Sequence, residues 1–213
     1  MSIERDILSA GITELGLAVT DQQLEKLMTF LGLIQKWNKA YNLTGLRDGV
    51  AMVRLHLLDS LAVLSYIQAG RILDIGTGAG LPGIPLAIFM PESEFVLLDS
   101  NAKKTRFVQQ AIVELKLSNV AVLHARVEGY RPAQNFNTVI TRAFASLLDI
   151  QQLTKRLVKD GGELLAMKGL PTSEELQSIM DGYTLIPLHV PGVDAERCLI
   201  RMQTNTKGVA WEK

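Results

Sequence analysis

The chain has 213 residues, 22 Lys+Arg against 22 Asp+Glu, and a hydrophobic fraction of 47%. That allows one large domain with a sizeable core, or one domain with an appendage. No apolar run of bilayer-spanning length is expected, residues 1–16 lack the basic-then-apolar layout of a signal peptide, and a lone Cys198 excludes an internal disulfide and fits a reducing cytoplasm.

Residues 1–67 read as helical. Thr20 with Gln23 forms a capping box, after which Leu24, Leu27, Met28, Leu31, Ile34 and Trp37 keep the helical period. Past the loop Asn42-Leu43-Thr44-Gly45, Asp48 can cap a further helix with Val50, Val53, Leu57, Leu61 and Leu64 on one face. From Arg71 the pattern changes. Strands are expected over 71–75, 94–99, 119–124, 137–141 and 161–168, with helices near 82–89, 102–117 and 146–158, and a closing strand pair over 182–190 and 196–204. Such alternation predicts an α/β fold with parallel strands, right-handed crossovers and helices on both faces. We expect an N-terminal helical cap over 1–67 and an α/β domain over 68–213, forming one compact unit.

The stretch Arg71-Ile72-Leu73-Asp74-Ile75-Gly76-Thr77-Gly78-Ala79-Gly80-Leu81-Pro82-Gly83-Ile84 reads as strand, glycine-rich turn and helix opening at a proline. From Gly78 it spells G-x-G-x-x-G, a dinucleotide fingerprint. From Asp74 it spells D-x-G-x-G-x-G, the pattern of S-adenosylmethionine methyltransferases. A carboxylate just before the turn would repel a pyrophosphate at the helix N-terminus, whereas it suits a sulfonium and an ammonium. This favours the methyl donor and leaves an NAD-dependent oxidoreductase as the alternative. Asp99, at the end of the second strand and 21 positions after Gly78, can accept from both ribose hydroxyls. It supports a nucleoside without choosing between the two.

Charge is uneven. Residues 1–70 hold six Lys/Arg and seven acids, but residues 103–168 hold eleven Lys/Arg against five acids. A basic sector on a neutral protein is the footprint of a polyanionic substrate. Lys155, Arg156 and Lys159 read as ordinary helix surface. Lys103, Lys104 and Arg106 follow the candidate cap Ser100-Asn101 and crowd cations into a first turn that disfavours them. After the fourth strand, Thr141-Arg142-Ala143-Phe144-Ala145-Ser146 offers an arginine, an aromatic ring and small neighbours, without the Asp/Asn-Pro-Pro-aromatic signature of amine methylation. Cys198 is too distant in sequence for a cysteine nucleophile at this motif, and no metal-ligand set is expected. Trp37 and Tyr41 read as packing residues, His124 and His189 as structural, and His56 with Asp59 as a local pair three apart on one helix.

Four segments together resemble the RsmG (glucose-inhibited division protein B) family. They are Trp37-Asn38-Lys39-Ala40-Tyr41-Asn42-Leu43-Thr44, His56-Leu57-Leu58-Asp59-Ser60-Leu61, the glycine segment from Leu73 to Pro85, and Thr141-Arg142-Ala143-Phe144-Ala145-Ser146. The match runs from about residue 20 to about 170, in the same order and spacing. The resemblance implies a Rossmann-like, S-adenosylmethionine-dependent methyltransferase fold, with a mostly parallel seven-stranded sheet whose last strand is antiparallel. It implies methylation of guanine N7 in the decoding region of 16S rRNA, within the small ribosomal subunit or its assembly intermediate. It also implies cofactor contacts at Gly76, Leu81, Val127, Glu128 and Arg142, to which the glycine turn adds Gly78 and Gly80. Asn42, His56, Arg126 and Lys168 are implied on the substrate side, with Arg142 shared.

Guanine N7 has a lone pair and no proton, so no general base is needed and catalysis is expected to rest on alignment. An arginine gripping O6 and N7 together would block the nucleophile. Arg142 and Arg126 are therefore cast as binders of phosphate, cofactor carboxylate or O6. A catalytically silent ribosome-assembly factor is the remaining alternative. A soluble, cytoplasmic monomer without membrane association is expected.

Overall fold

The computed structural model describes residues 2–142, 145–179 and 182–203. Ser2 and Thr20 open α1 (Ile3–Glu14) and α2 (Asp21–Tyr41) by accepting backbone amides, and the Thr20–Gln23 capping box is present. Asn42 closes α2 in the left-handed conformation, at φ 49°. Asp48 caps α3 (Gly49–Met52), which runs through a π-helical segment, Val53–Leu58, into α4 (Asp59–Leu61). By length and composition the 18 residues Gly49–Tyr66 could span a bilayer, which corrects the expectation that no such run exists. Half of that window is buried inside the protein, and it carries Arg54, His56 and Asp59, so it packs as a core helix.

Seven strands follow: β1 (Arg71–Ile75), β2 (Glu94–Asp99), β3 (Val120–His124), β4 (Phe136–Arg142), β5 (Val158–Lys168), β6 (Tyr183–Leu188) and β7 (Arg197–Gln203). They form one sheet in the order β3-β2-β1-β4-β5-β7-β6, parallel except for β7, which runs against both β5 and β6. The expected fold class, a mostly parallel seven-stranded sheet with an antiparallel last strand, is thus present. β5 begins three residues before the expected strand, with Gly161 at φ 73° and a register shift opposite Phe136 and Thr138. Between the strands lie α5 (Gly83–Phe89), α6 (Ala102–Glu114), α7 (Leu147–Thr154) and a short α8 (Ser173–Gln177) that the sequence pattern did not suggest. Asn101 caps α6 by accepting from Lys103 and Lys104. That bond offsets the unfavourable placement of cations in this turn.

β1, β2 and β4 are buried along almost their whole length, as strands covered on both faces are, although β4 carries Asn137, Thr138 and Thr141 among its apolar residues. On one face Ile72, Leu97, Ile140 and Leu165 meet Ile84 and Phe107, and the same core takes in Leu8, Ile12, Leu27, Phe30, Ile34 and Leu57 of the N-terminal helices. Trp37 belongs to this seam, stacked on Tyr41 at 5.2 Å and edge-on to Phe107 at 5.8 Å. On the other face Leu73, Ile75, Val139 and Leu164 pack with Leu147 and Ile150. His124 meets the Ser100 carbonyl at 3.0 Å, and His189, just past β6, pairs with Glu14 at 2.6 Å.

Candidate active site

The crossovers leave β1 toward both sides of the sheet, so a crevice opens at the carboxyl ends of β1 and β4, where α/β proteins bind ligands. β1 passes into the glycine turn, in which Gly76, Gly78 and Gly80 have φ of 69°, 59° and 82°. The amides of Gly76 and Thr77 donate to Leu98 O at 2.8 and 3.1 Å, fastening the turn to β2. Asp99 closes it: its Oδ2 accepts from Gly78 N at 2.8 Å and its Oδ1 from Asn101 N at 2.7 Å.

Asp74 acts differently from the expectation. It is fully buried and lines neither cavity described below. Its Oδ2 accepts from Thr77 Oγ1 at 2.7 Å and from Gly83 N at 2.9 Å, while its Oδ1 has no hydrogen-bond partner. Burial pushes its carboxyl up from 3.8 to about 6, against the lowering effect of those two bonds and of Arg142. Position 74 points under α5, so the side chain shapes the turn and does not meet a ligand's charge. Gly83 is needed at that contact, because a Cβ there would lie 2.2 Å from Leu97 Cδ2.

Beside the turn lies a cavity of about 310 Å³, within the range of small-molecule sites. Ile75, Leu98, Ala125 and Val127 give it apolar walls, and Gly76, Asp99, Ser100, Lys104, Arg126 and Glu128 add polar groups. Its outer wall, the single turn Val127–Gly129, is braced by two arginines. Arg156 donates to Val127 O at 2.5 Å and Tyr130 O at 2.7 Å, and Arg131 to Glu128 O at 2.7 Å. Arg156 is therefore a strut of this wall, which corrects its reading as ordinary helix surface.

A second cavity, about 570 Å³, opens between the N-terminal helices and the ends of β4, β5 and β7. Arg142, Met167, Lys168, Arg197 and Cys198 come from the strands, Leu55, His56 and Asp59 from the helices, and Glu175 from α8. Arg142 Nη1 donates to Asp59 Oδ2 at 2.9 Å and to Leu55 O at 3.1 Å. Arg197 Nε reaches Asp59 Oδ1 at 3.3 Å, and Lys168 pairs with Glu175. The Cys198 thiol donates to Gly169 O at 3.0 Å, and burial pushes its pKa up.

His56 does not pair with Asp59 as the helical spacing suggested. Its Nδ1 faces Leu55 O at 3.1 Å and so carries the proton, leaving Nε2 to accept from Thr44 Oγ1 at 2.9 Å. Burial first, and Arg142 second, lower its pKa, keeping the ring neutral. Asn38 holds the Thr44 loop in place, accepting from Thr44 N and donating to Leu46 O, each at 3.0 Å.

The expected site residues thus divide. Gly76, Asp99, Val127 and Glu128 line the first cavity, joined by Arg126, which the resemblance had put on the substrate side. His56, Arg142 and Lys168 line the second, and Arg142, expected at the cofactor as well, does not border the first. Gly78, Gly80 and Leu81 shape the turn without lining either, and Asn42 accepts from Arg47 outside both. Ala143 and Phe144 lie outside the described residues. Asp59, Lys104, Arg156, Glu175 and Arg197 were not expected at the site. Among the described residues no group of three or more His, Cys, Asp or Glu could hold a metal ion.

The family described as "GidB: rRNA small subunit methyltransferase G" matches residues 23–199. The chain belongs to this family. Its relatives include "Ribosomal RNA small subunit methyltransferase G" of Nitrosococcus oceani, 47% identical over 210 residues and covering 97% of this chain and 98% of that one. The protein of the same name from Methylococcus capsulatus is 48% identical over 199 residues, covering 92% and 97%. In fold the chain is similar to a putative O-methyltransferase from Klebsiella pneumoniae (TM-score 0.61, 13% identity, covering 96% of this chain and 100% of that one). It is also similar to a SAM dependent methyltransferase from Aquifex aeolicus (TM-score 0.52, 18% identity, covering 70% and 92%).

This GidB-family member is a methyltransferase that uses S-adenosylmethionine, and the NAD reading falls. The first cavity fits the donor. It offers the Asp99 carboxylate for a ribose, apolar walls for an adenine, and glycines that let the backbone come close.

Proposed function

We propose that this GidB-family protein methylates N7 of a guanine in the decoding region of 16S rRNA, in the small ribosomal subunit or its assembly intermediate. The observation that carries this reading is that, among the described residues, those lining the second cavity include no base ready to take a proton. Asp59 is tied to two arginines, Glu175 to Lys168, and both nitrogens of His56 are engaged. Such a cavity suits a nucleophile with a lone pair and no proton to lose, as guanine N7 is. The relatives' names, which specify small-subunit ribosomal RNA, support the polymer.

When bound, S-adenosylmethionine supplies an electrophilic methyl group. In this reading Asp99 holds the ribose, Gly76 and Gly78 let the backbone approach, and Val127 and Glu128 enclose the adenine. Arg142, in the wall of the second cavity, with Lys168 and His56, orients the guanine so that N7 and the methyl are in line. Arg126, bordering the first cavity, meets either the cofactor or RNA phosphate at the mouth. The helices of residues 1–67 act as a cap that closes over the RNA, as one unit with the α/β domain, in a cytoplasmic monomer.

The test uses tritiated S-adenosylmethionine and small subunits from a strain lacking the enzyme, followed by nucleoside analysis. Label recovered as 7-methylguanosine in 16S rRNA is expected. Label absent, or on another atom, overturns the reading. Arg142→Ala should weaken RNA or cofactor binding and lower methylation, and an unaffected variant removes Arg142 from its role.

A further inference from the structure

The second cavity is bordered by three cations, Arg142, Lys168 and Arg197, and two carboxylates, Asp59 and Glu175. Glu175 answers Lys168. Asp59 answers two arginines that reach it from β4 and β7, one on each carboxylate oxygen. It is 5% exposed, so solvent screens these pairs weakly. The π-helical segment just before it presents Leu55 O to the same Arg142 nitrogen, so one stretch of helix grips Arg142 at two points. Both arginines border the cavity, and Asp59 therefore sets the direction and the net charge of its wall.

We propose that Asp59 is a positioning residue for methyl transfer: it aims Arg142 along the cavity and offsets the charge of Arg142 and Arg197 where the acceptor base turns cationic. This rests on the guanine-N7 reading. In that transfer the N7 lone pair forms the new N–C bond, and the methyl–sulfur bond breaks with its electron pair left on sulfur. One positive charge passes to the base, and no proton moves. An uncompensated cation beside the base opposes this step, whereas for binding RNA phosphates the sign reverses and an uncompensated arginine helps. Asp59 thus favours turnover while restraining RNA affinity.

Asp59→Asn keeps the size of the side chain and one acceptor oxygen while removing the charge. RNA affinity is measured on protein without cofactor, by filter binding over a salt series, and kcat on small subunits. The folded variant should bind RNA as tightly as wild type or up to about threefold tighter, with kcat lower by about tenfold or more. Arg197→Gln covers the case in which Asp59→Asn does not fold, because it removes a cation and keeps the Asp59–Arg142 bond. Its RNA dissociation constant should rise by about threefold or more, with a smaller proportional change in kcat. A folded Asp59→Asn that binds RNA more weakly, or keeps kcat within about threefold of wild type, overturns the proposal. So does Arg197→Gln losing more in kcat than in affinity. The nucleoside formed by wild type is identified separately, and it decides the reading on which this proposal rests.

Discussion

Asp74→Asn should change how stability depends on pH. Folding raises the Asp74 pKa from 3.8 to about 6, so the folded protein holds this proton more tightly than the unfolded chain does. Stability therefore falls as pH rises through that window, opposite to an ion-paired carboxylate. Full ionisation above it costs about 3 kcal/mol, since one pKa unit is about 1.4 kcal/mol. Lowering the pH from about 7.5 to about 5 should recover roughly 1.4 kcal/mol of this, and about 2.4 kcal/mol by about pH 4. Asparagine can still accept from Thr77 and Gly83, and its amide nitrogen takes the place of the oxygen that has no partner. That exchange carries a pH-independent penalty of about 1–3 kcal/mol for a buried donor without an acceptor. The decisive quantity is thus the slope of the difference between wild type and variant. Urea unfolding at both pH values measures it, and subtraction cancels the other titrating groups. A difference constant within about 0.5 kcal/mol between pH 7.5 and 5 would refute the placement of an ionisable, poorly solvated carboxyl under α5.

Gly83→Ala should destabilise the protein by about 1–3 kcal/mol through overpacking against Leu97, lowering Tm by about 2–4 °C per kcal/mol; an unchanged melt contradicts the contact. Arg156→Ala removes two donors that brace the Val127 turn, so the Kd for S-adenosylhomocysteine should rise about three- to tenfold by calorimetry, and an unchanged Kd would dismiss the strut. Lys104→Ala should weaken the same ligand about three- to tenfold, because Lys104 borders that cavity; an effect on RNA affinity alone would assign it to phosphate instead. His56, its pKa lowered by folding, adds stability that is complete above about 6.5 and is lost as pH falls through its folded pKa. The midpoint of its ring titration by NMR should lie below about 6.5, and a midpoint at or above that value is the contrary result.

Features written in neighbouring residues were legible in the sequence. Thr20, Asp48 and Asn101 cap helices because the amides they accept from lie two or three positions on. The central strands could be read because burial on both faces demands mostly apolar segments such as Phe95-Val96-Leu97-Leu98, and the glycine turn because its backbone conformation requires glycine. The ends of elements were less legible. β5 reaches back to Val158 through a Gly161 that reads as a turn, and α8 is too short to show a helical period.

The partners of the charged side chains could not be read, and this decides how the site should be understood. Asp59 meets Arg142 and Arg197 across sequence separations of 83 and 138 residues, and Arg156 meets the Val127 turn across 29. No local pattern encodes those meetings, because they follow from strand order. The pairing expected of His56 with Asp59 assumed an α-helix. The segment is instead π-helical up to Leu58, and the Leu55 carbonyl next to His56 is shared between the ring and Arg142. Family likeness could name Arg142 and His56 because those residues recur in a motif, but it does not say what holds them. The same likeness put Arg126 with the substrate, whereas it borders the cavity that fits the donor. A motif therefore names candidate residues, and only the fold shows which cavity each of them lines. In this protein the division falls between β1 and β4, with Asp99 on one side and Asp59 on the other. The two carboxylates have opposite tasks. Asp99 accepts two backbone amides and holds the glycine turn, while Asp59 accepts two arginines and offsets the charge of the second cavity's wall.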